Sequence, residues 1–155
     1  MKTLIKIIST FFFIGYCPII PGTVTSMASA LFIWLLKDYS SAYIASTVAL
    51  IILGFIVSAP AENIFGKKDD RRIVIDEVAG MFISFIFLPA GSITIVSLFW
   101  GFILFRAFDA SKIYPANKLQ RFSGSLGVMA DDILAGVYAN IILQLFLRFA
   151  SCRIS

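Results

Sequence analysis

Residues 104–132 read LFRAFDASKIYPANKLQRFSGSLGVMADD. An apolar run ends here in Arg106, Asp109 and Lys112 at three-residue spacing, and Asp131 and Asp132 stand together where the next apolar run begins. Ionised side chains at a hydrophobic border are costly unless they are paired or hydrated. A chain that keeps them at two such borders is expected to use them, and the other apolar runs can be read outward from this stretch.

The rest of the chain is greasy. Of its 155 residues 59% are hydrophobic, sixteen are Phe, and 14% are charged, against about 25% in an average soluble domain. Mean hydropathy is +0.94. The apolar runs lack the polar face that an exposed helix of a soluble domain needs. The expected fold is all-α: an integral membrane helical bundle of about four to five apolar helices with a short N-terminal interfacial segment, one domain over residues 1–155. Net charge is +4, and the basic residues fall between the apolar runs, which suits membrane lipids; no nucleic-acid motif is present. Cys17 and Cys152 form no CxxC, so neither a disulfide scaffold nor a zinc site is expected. The chain has no His, which excludes a Ser-His-Asp triad, a His-ligated metal and a His general base. Chemistry is left to carboxylates, Lys, Arg, Tyr, Cys, Ser, Thr or a hard metal ion.

The N-terminus, with Lys2 and Lys6 before IISTFFFIGY, imitates a signal peptide. No small-x-small cleavage pattern follows, and bulky Tyr16 spoils a lipobox at Cys17, so an interfacial or re-entrant segment is expected over residues 1–20. Gly15, Pro18 and Pro21-Gly22 break it, and Thr23 or Ser26 can cap a first helix over 24–36. A second run covers 41–59, stopped by or just before Pro60, and 61–75 (AENIFGKKDDRRIVI) reads as a solvated loop. A third run begins at Asp76-Glu77 and reaches Leu88, Pro89-Ala90-Gly91-Ser92 is a turn, a fourth covers 93–108, residues 110–130 are a loop, and the fifth covers 132–149.

If each run crosses a bilayer, the starts of the first, third and fifth share a face with the ends of the second and fourth. That face collects Thr23, Ser26, residues 61–77, Arg106 to Lys112 and Asp131-Asp132. It carries Lys67, Lys68, Arg71, Arg72, Arg106, Lys112, Lys118 and Arg121, against Lys37, Arg148 and Arg153 on the other, so the positive-inside rule makes it cytoplasmic.

Each polar group has a plain reading beside a chemical one. Asp76-Glu77 and Asp131-Asp132 suit helix starts as caps; two acidic pairs on one face also suit an oxygen-ligated cation such as Mg²⁺. Arg106, Asp109 and Lys112 at i, i+3, i+6 form either an ion-pair ladder worth about 0.2–0.5 kcal/mol per pair or a phosphate-recognition face. Pro21-Gly22-Thr23 with Ser26 either starts a helix or offers backbone N–H groups to an anion. Lys67, Lys68, Arg71 and Arg72 read as a lipid-facing, orienting patch.

Taken in order, PGT with Ser26, IVIDEVAGM at 73–81, LFRAFDASK at 104–112 and GVMADDILAGVYA at 127–139 resemble the phosphatidylglycerophosphatase A family, collinearly over nearly the whole chain. The resemblance implies a Mg²⁺-dependent, multi-pass phosphatase of the bacterial inner (cytoplasmic) membrane, its active face cytoplasmic, that takes the terminal phosphate from phosphatidylglycerol phosphate to give phosphatidylglycerol. On that reading Asp76, Glu77, Asp109, Asp131 and Asp132 are the catalytic acids, with Glu77, Asp109, Asp131 and Asp132 as metal ligands. Arg106, Lys112, Thr23 and Ser26 hold the substrate phosphate. The nucleophile is a metal-bound water or an aspartate. The chain departs from the family at Thr25, where glycine is usual, at Ile113-Tyr114-Pro115, where Pro-x-Pro is usual, and at Tyr16-Cys17, where the family is richer in glycine. Alternatives are a membrane phosphatase for another phosphomonoester and a non-catalytic transporter or assembly protein. A transporter would place its charges in the middle of apolar runs, not at their ends.

Overall fold

The structure, a computed structural model, describes residues 1–89, 91–119 and 122–152. Ala90 of the expected turn, and Arg121 and Arg153 of the charge comparison, lie outside the described residues. Among the described residues the chain is all-helical: α1 (Lys2–Ser9), a 3-10 turn (Ile14–Tyr16), α2 (Pro21–Leu36), α3 (Ser40–Phe65), α4 (Ile75–Ser84), α5 (Ile95–Ser111), α6 (Ala116–Leu119) and α7 (Ser125–Cys152).

Two segments are long and apolar enough to cross a bilayer, Ser40–Phe65 and Ser125–Phe149, and α2 is a shorter apolar helix. The ten residues of α4 rise only about 15 Å, half of a hydrocarbon core of about 30 Å. The expected set of comparable runs therefore resolves into helices of unequal reach.

Several expected boundaries move, each for a local reason. Pro21 and Gly22 lie inside α2, with Pro21 in its first turn, where a missing N–H costs nothing. Neither Thr23 nor Ser26 caps the helix: Ile20 is the N-cap, and Ser26 donates its hydroxyl to Gly22 O at 2.8 Å. Pro60 does not stop α3, which continues to Phe65 and ends on Gly66 in the left-handed region. Proline disturbs the turn before it, and there Ala59 N–H donates to Ser125 Oγ at 3.0 Å, from the first residue of α7. The loop after α3 is thus shorter and less solvated than expected. Asp70 is buried and held in a two-point fork by Arg72, whose guanidinium stacks on Phe65, and Val74 N–H donates to Ser9 O at 2.9 Å. α7 starts at Ser125, so Asp131 and Asp132 lie in its second turn and cannot be its caps.

The core sits around α4, where every residue except Glu77 is buried. Val78, Met81, Phe82 and Phe85 pack with Ile33, Tyr43, Phe105, Ala135, Ala139 and Leu143; Ile75 and Ala79 pack with Val57, Ala61, Val128 and Met129. α4 lies mainly against α7, and the two run in the same direction. Asp76 faces Asp132, a Cβ on Gly136 would fall 2.4 Å from Gly80 O, and Asn140 Nδ2 donates to Ser84 O at 3.1 Å. α4 then stops inside the bundle. Carbonyls at such an end need donors that water cannot supply there. Tyr43 Oη donates to Phe82 O at 2.5 Å, Asn140 Nδ2 also reaches Ile86 O at 2.8 Å, and Gln144 Nε2 holds Asn140 Oδ1 at 2.8 Å.

Candidate active site

Four helix ends meet at one end of the bundle. The first turn of α4 brings Asp76 and Glu77, the second turn of α7 brings Asp131 and Asp132, the last turns of α5 bring Arg106 and Asp109, and the start of α2 brings Gly22. Gly22 is there because nothing larger fits: a Cβ would stand 2.3 Å from Glu77 Oε1 and 3.5 Å from Arg106 Nη1.

One oxygen each from Asp76, Glu77 and Asp132 lie within 4.8 Å of one another. Asp76 and Asp132 are buried, and Glu77 Oε2 is a buried oxygen with no hydrogen-bond partner among the described residues. Three carboxylates brought this close repel one another and lose hydration, which favours their neutral forms unless a cation stands between them. Burial pushes the Asp76 carboxyl well above the usual carboxylate range and the Glu77 charge adds to it; burial pushes Glu77 up to about 8, against the opposing pull of its hydrogen bond with Asp76. An all-oxygen donor set with an unpartnered buried carboxylate oxygen fits a hard cation that keeps part of its water shell.

The flanking charges are paired. Arg106 Nη1 holds Asp109 Oδ2 at 2.6 Å, and Asp109 lies within electrostatic reach of Glu77 and Asp132. Lys112 is not the third rung of a ladder on α5. It is the C-cap, with φ 43°, so the chain leaves the helical path there and Lys112 Nζ reaches across to Asp131 Oδ2 at 2.8 Å. The closest carboxylate group is thus Asp76, Glu77 and Asp132, while Asp109 and Asp131 beside it are each paired through one oxygen with a cationic side chain. Thr23 is half-buried in the first turn of α2 and Ser26 is buried one turn on, beside Gly22; the Ser26 hydroxyl proton is committed to the backbone. Thr25 is fully buried and its Oγ1 has no partner among the described residues.

Reading the charges did not reveal Gly80, Gly136 or Asn140, which set α4 against α7. A signal for them is present: D-x-x-A-G occurs at 76–80 and again at 132–136. The two copies lie face to face.

The profile of the family described as Phosphatidylglycerophosphatase A matches residues 7–147. A protein of Bacteroides thetaiotaomicron named a putative phosphatidylinositol-3-phosphatase is 33% identical over 144 residues, covering 88% of this chain and 89% of its own. Phosphatidylglycerophosphatase A of Escherichia coli K12 is 35% identical over 132 residues (83% and 75%), and that of Haemophilus influenzae is 30% identical over 131 residues (79% and 76%). No solved structure matches the chain.

Proposed function

The chain belongs to the phosphatidylglycerophosphatase A family, and we propose that it hydrolyses the terminal phosphate of phosphatidylglycerol phosphate to leave phosphatidylglycerol. The observation that carries this reading is the meeting of three close carboxylates, two of them buried, with Arg106 and Lys112 at one end of an apolar bundle. A lipid phosphomonoester needs an apolar body to keep its acyl chains and a polar end for its head group, and the bundle offers both.

Asp76, Glu77 and Asp132 would hold Mg²⁺. When bound, Mg²⁺ offsets phosphate charge and acidifies water. The chain's own groups do the rest. Arg106 is fixed by Asp109 through one nitrogen, which leaves the other guanidinium N–H groups for phosphoryl oxygens. Lys112, held by Asp131, adds a second positive charge where negative charge spreads in the transition state. Thr23 and the N-terminal amides of α2 border the same space and suit an anion. Asp109 and Asp131 serve here as orienting partners of the two cations. Retention of configuration at an isotopically chiral phosphoryl group would mark a phospho-aspartyl intermediate, formed and broken by two in-line displacements at phosphorus; inversion would mark direct attack by water. In this reading α3 and α7 cross the bacterial cytoplasmic membrane, and the site opens to the cytoplasmic leaflet.

The name of the Bacteroides relative supplies a competing substrate, phosphatidylinositol 3-phosphate. Phosphate release from the two lipids in mixed micelles, with Mg²⁺ and with chelator, tests both. Faster release from phosphatidylglycerol phosphate, lost with chelator and reduced about 100-fold by Asp132→Asn, is expected. Activity that survives chelation and substitution together would overturn the mechanism, and preference for the inositol lipid would overturn the substrate.

A further inference from the structure

The acids of the site come from two helices that share a motif. Asp76-x-x-Ala79-Gly80 and Asp132-x-x-Ala135-Gly136 lie on α4 and α7, which run in parallel. Three contacts join equivalent positions. Asp76 meets Asp132, Gly80 meets Gly136, and Ser84 meets Asn140, each pair 56 residues apart in sequence. Because the separation is constant, the helices are in fixed register along two turns, and the contacts have different chemistry at each level.

At the middle level the backbones touch. A Cβ on Gly136 would sit 2.4 Å from Gly80 O and 3.1 Å from Gly80 Cα, and one on Gly80 would sit 2.7 Å from Asp132 O. These obstacles are backbone atoms, which cannot swing aside as the end of a side chain can. Small residues at four-residue spacing permit this approach, and it lets the next level in each direction come within side-chain reach. At the inner level Asn140 donates to both Ser84 O and Ile86 O, the carbonyls where α4 ends, and Gln144 orients its amide. The clamp is anchored to α7, the helix that also carries Asp132.

We propose that the Gly80–Gly136 crossing and the Asn140 clamp set the spacing of Asp132 from Asp76 and Glu77, which makes Asn140 a positioning residue for the acid group although it lies two turns from it. The inference rests on the cation-holding role of those acids for its functional meaning, but not for its geometry. Tyr43 provides the control. It donates to Phe82 O at the same end of α4, yet from α3, so its loss loosens that end without releasing α4 from α7.

The experiment uses the full chain in detergent micelles with Mn²⁺ as the probe. Binding is read from the electron paramagnetic resonance of free Mn²⁺. Asn140→Leu and Gly136→Ala are expected to weaken Mn²⁺ binding about tenfold or more, whereas Tyr43→Phe lowers thermal stability and leaves Mn²⁺ affinity unchanged. A second readout needs no metal: the rate of disulfide formation between Asp76→Cys and Asp132→Cys, with Cys17→Ser and Cys152→Ser. That rate is expected to fall severalfold with Asn140→Leu and to hold with Tyr43→Phe. Cross-linking unaffected by Asn140→Leu overturns the inference, even if Gly136→Ala fails to fold. Absence of Mn²⁺ binding by the unsubstituted chain, with cross-linking still sensitive to Asn140, overturns the metal reading and leaves the register inference standing.

Discussion

Gly22 carries a demand that its own chemistry does not announce. A methyl group at this position would enter the Glu77 carboxylate, 2.3 Å from Oε1, and crowd Arg106. Glu77 would have to turn away from Asp76 and Asp132, or α2 would have to withdraw. Displacements of about 1 Å at a reacting centre cost about 100-fold in rate. Gly22→Ala is therefore expected to reduce turnover by about that factor while circular dichroism and micelle-bound size stay unchanged; near-normal turnover would show that the close approach is not used. At this scale the sequence was legible where residues are charged. Asp76, Glu77, Asp132, Arg106 and Lys112 stood out because a charge beside an apolar run needs a reason. Gly22 stood out only as part of a helix-starting or anion-binding turn, and Gly80 and Gly136 had no charge to mark them, because the value of a missing side chain depends on what stands opposite. Lys112 was legible as a cation but not in its direction, since its positive φ ends the helix and turns it from Asp109 toward Asp131.

Among the elements, α3 and α7 depart most from what local signals suggest. A proline normally marks the end of an apolar helix, yet α3 runs five residues past Pro60. Ser125 Oγ accepts Ala59 N–H in the disturbed turn, so the first residue of α7 supports the helix that proline weakens. Ser125→Ala is expected to lower stability by about 1 kcal/mol, read as a reduced thermal midpoint in micelles. The same substitution in a Pro60→Ala background should cost less, because the turn then closes its own bonds; an equal cost in both backgrounds would refute this coupling. The early start of α7 has a related origin. Glycine and serine in FSGSLG read as loop, but Gly124 takes the positive φ and the helix begins at the next residue. Hydrophobic runs located α2, α3, α4, α5 and the body of α7, while α6 fell in the stretch 110–130 read as a loop and the helix ends depended on bonds to distant segments.

For the whole molecule, the acidic helix ends collect at one pole, and the turns around Lys37-Asp38 and residues 91–94 lie together at the other. That arrangement follows from a count of runs, and the structure joins α2, α4, α5 and α7 at a single acidic group. In the proposed membrane orientation the exposed residues Ser123 and Ser40 lie at opposite poles. Single cysteines at these positions, in a chain with Cys17 and Cys152 replaced by Ser, should react with an impermeant thiol reagent from opposite sides of sealed vesicles. Labelling from one side at both positions would require a different number of crossings.

The brevity of α4 also bears on how the protein is made. Ten residues with two acids at the leading end are too short and too polar to enter a bilayer as an independent unit. α4 can settle only when α7 arrives to cover its glycine face and supply donors to its last carbonyls. The contacting positions are 56 residues apart, which ribosomes translate in roughly 3–11 s at ordinary rates of synthesis. For that interval Asp76 and Glu77 must wait in water beside the nascent chain. In the proposed membrane orientation the acid group can assemble only after α7 is made, so a chain truncated before α7 is expected to insert and to release no phosphate, which a vesicle-flotation and phosphate-release assay would check.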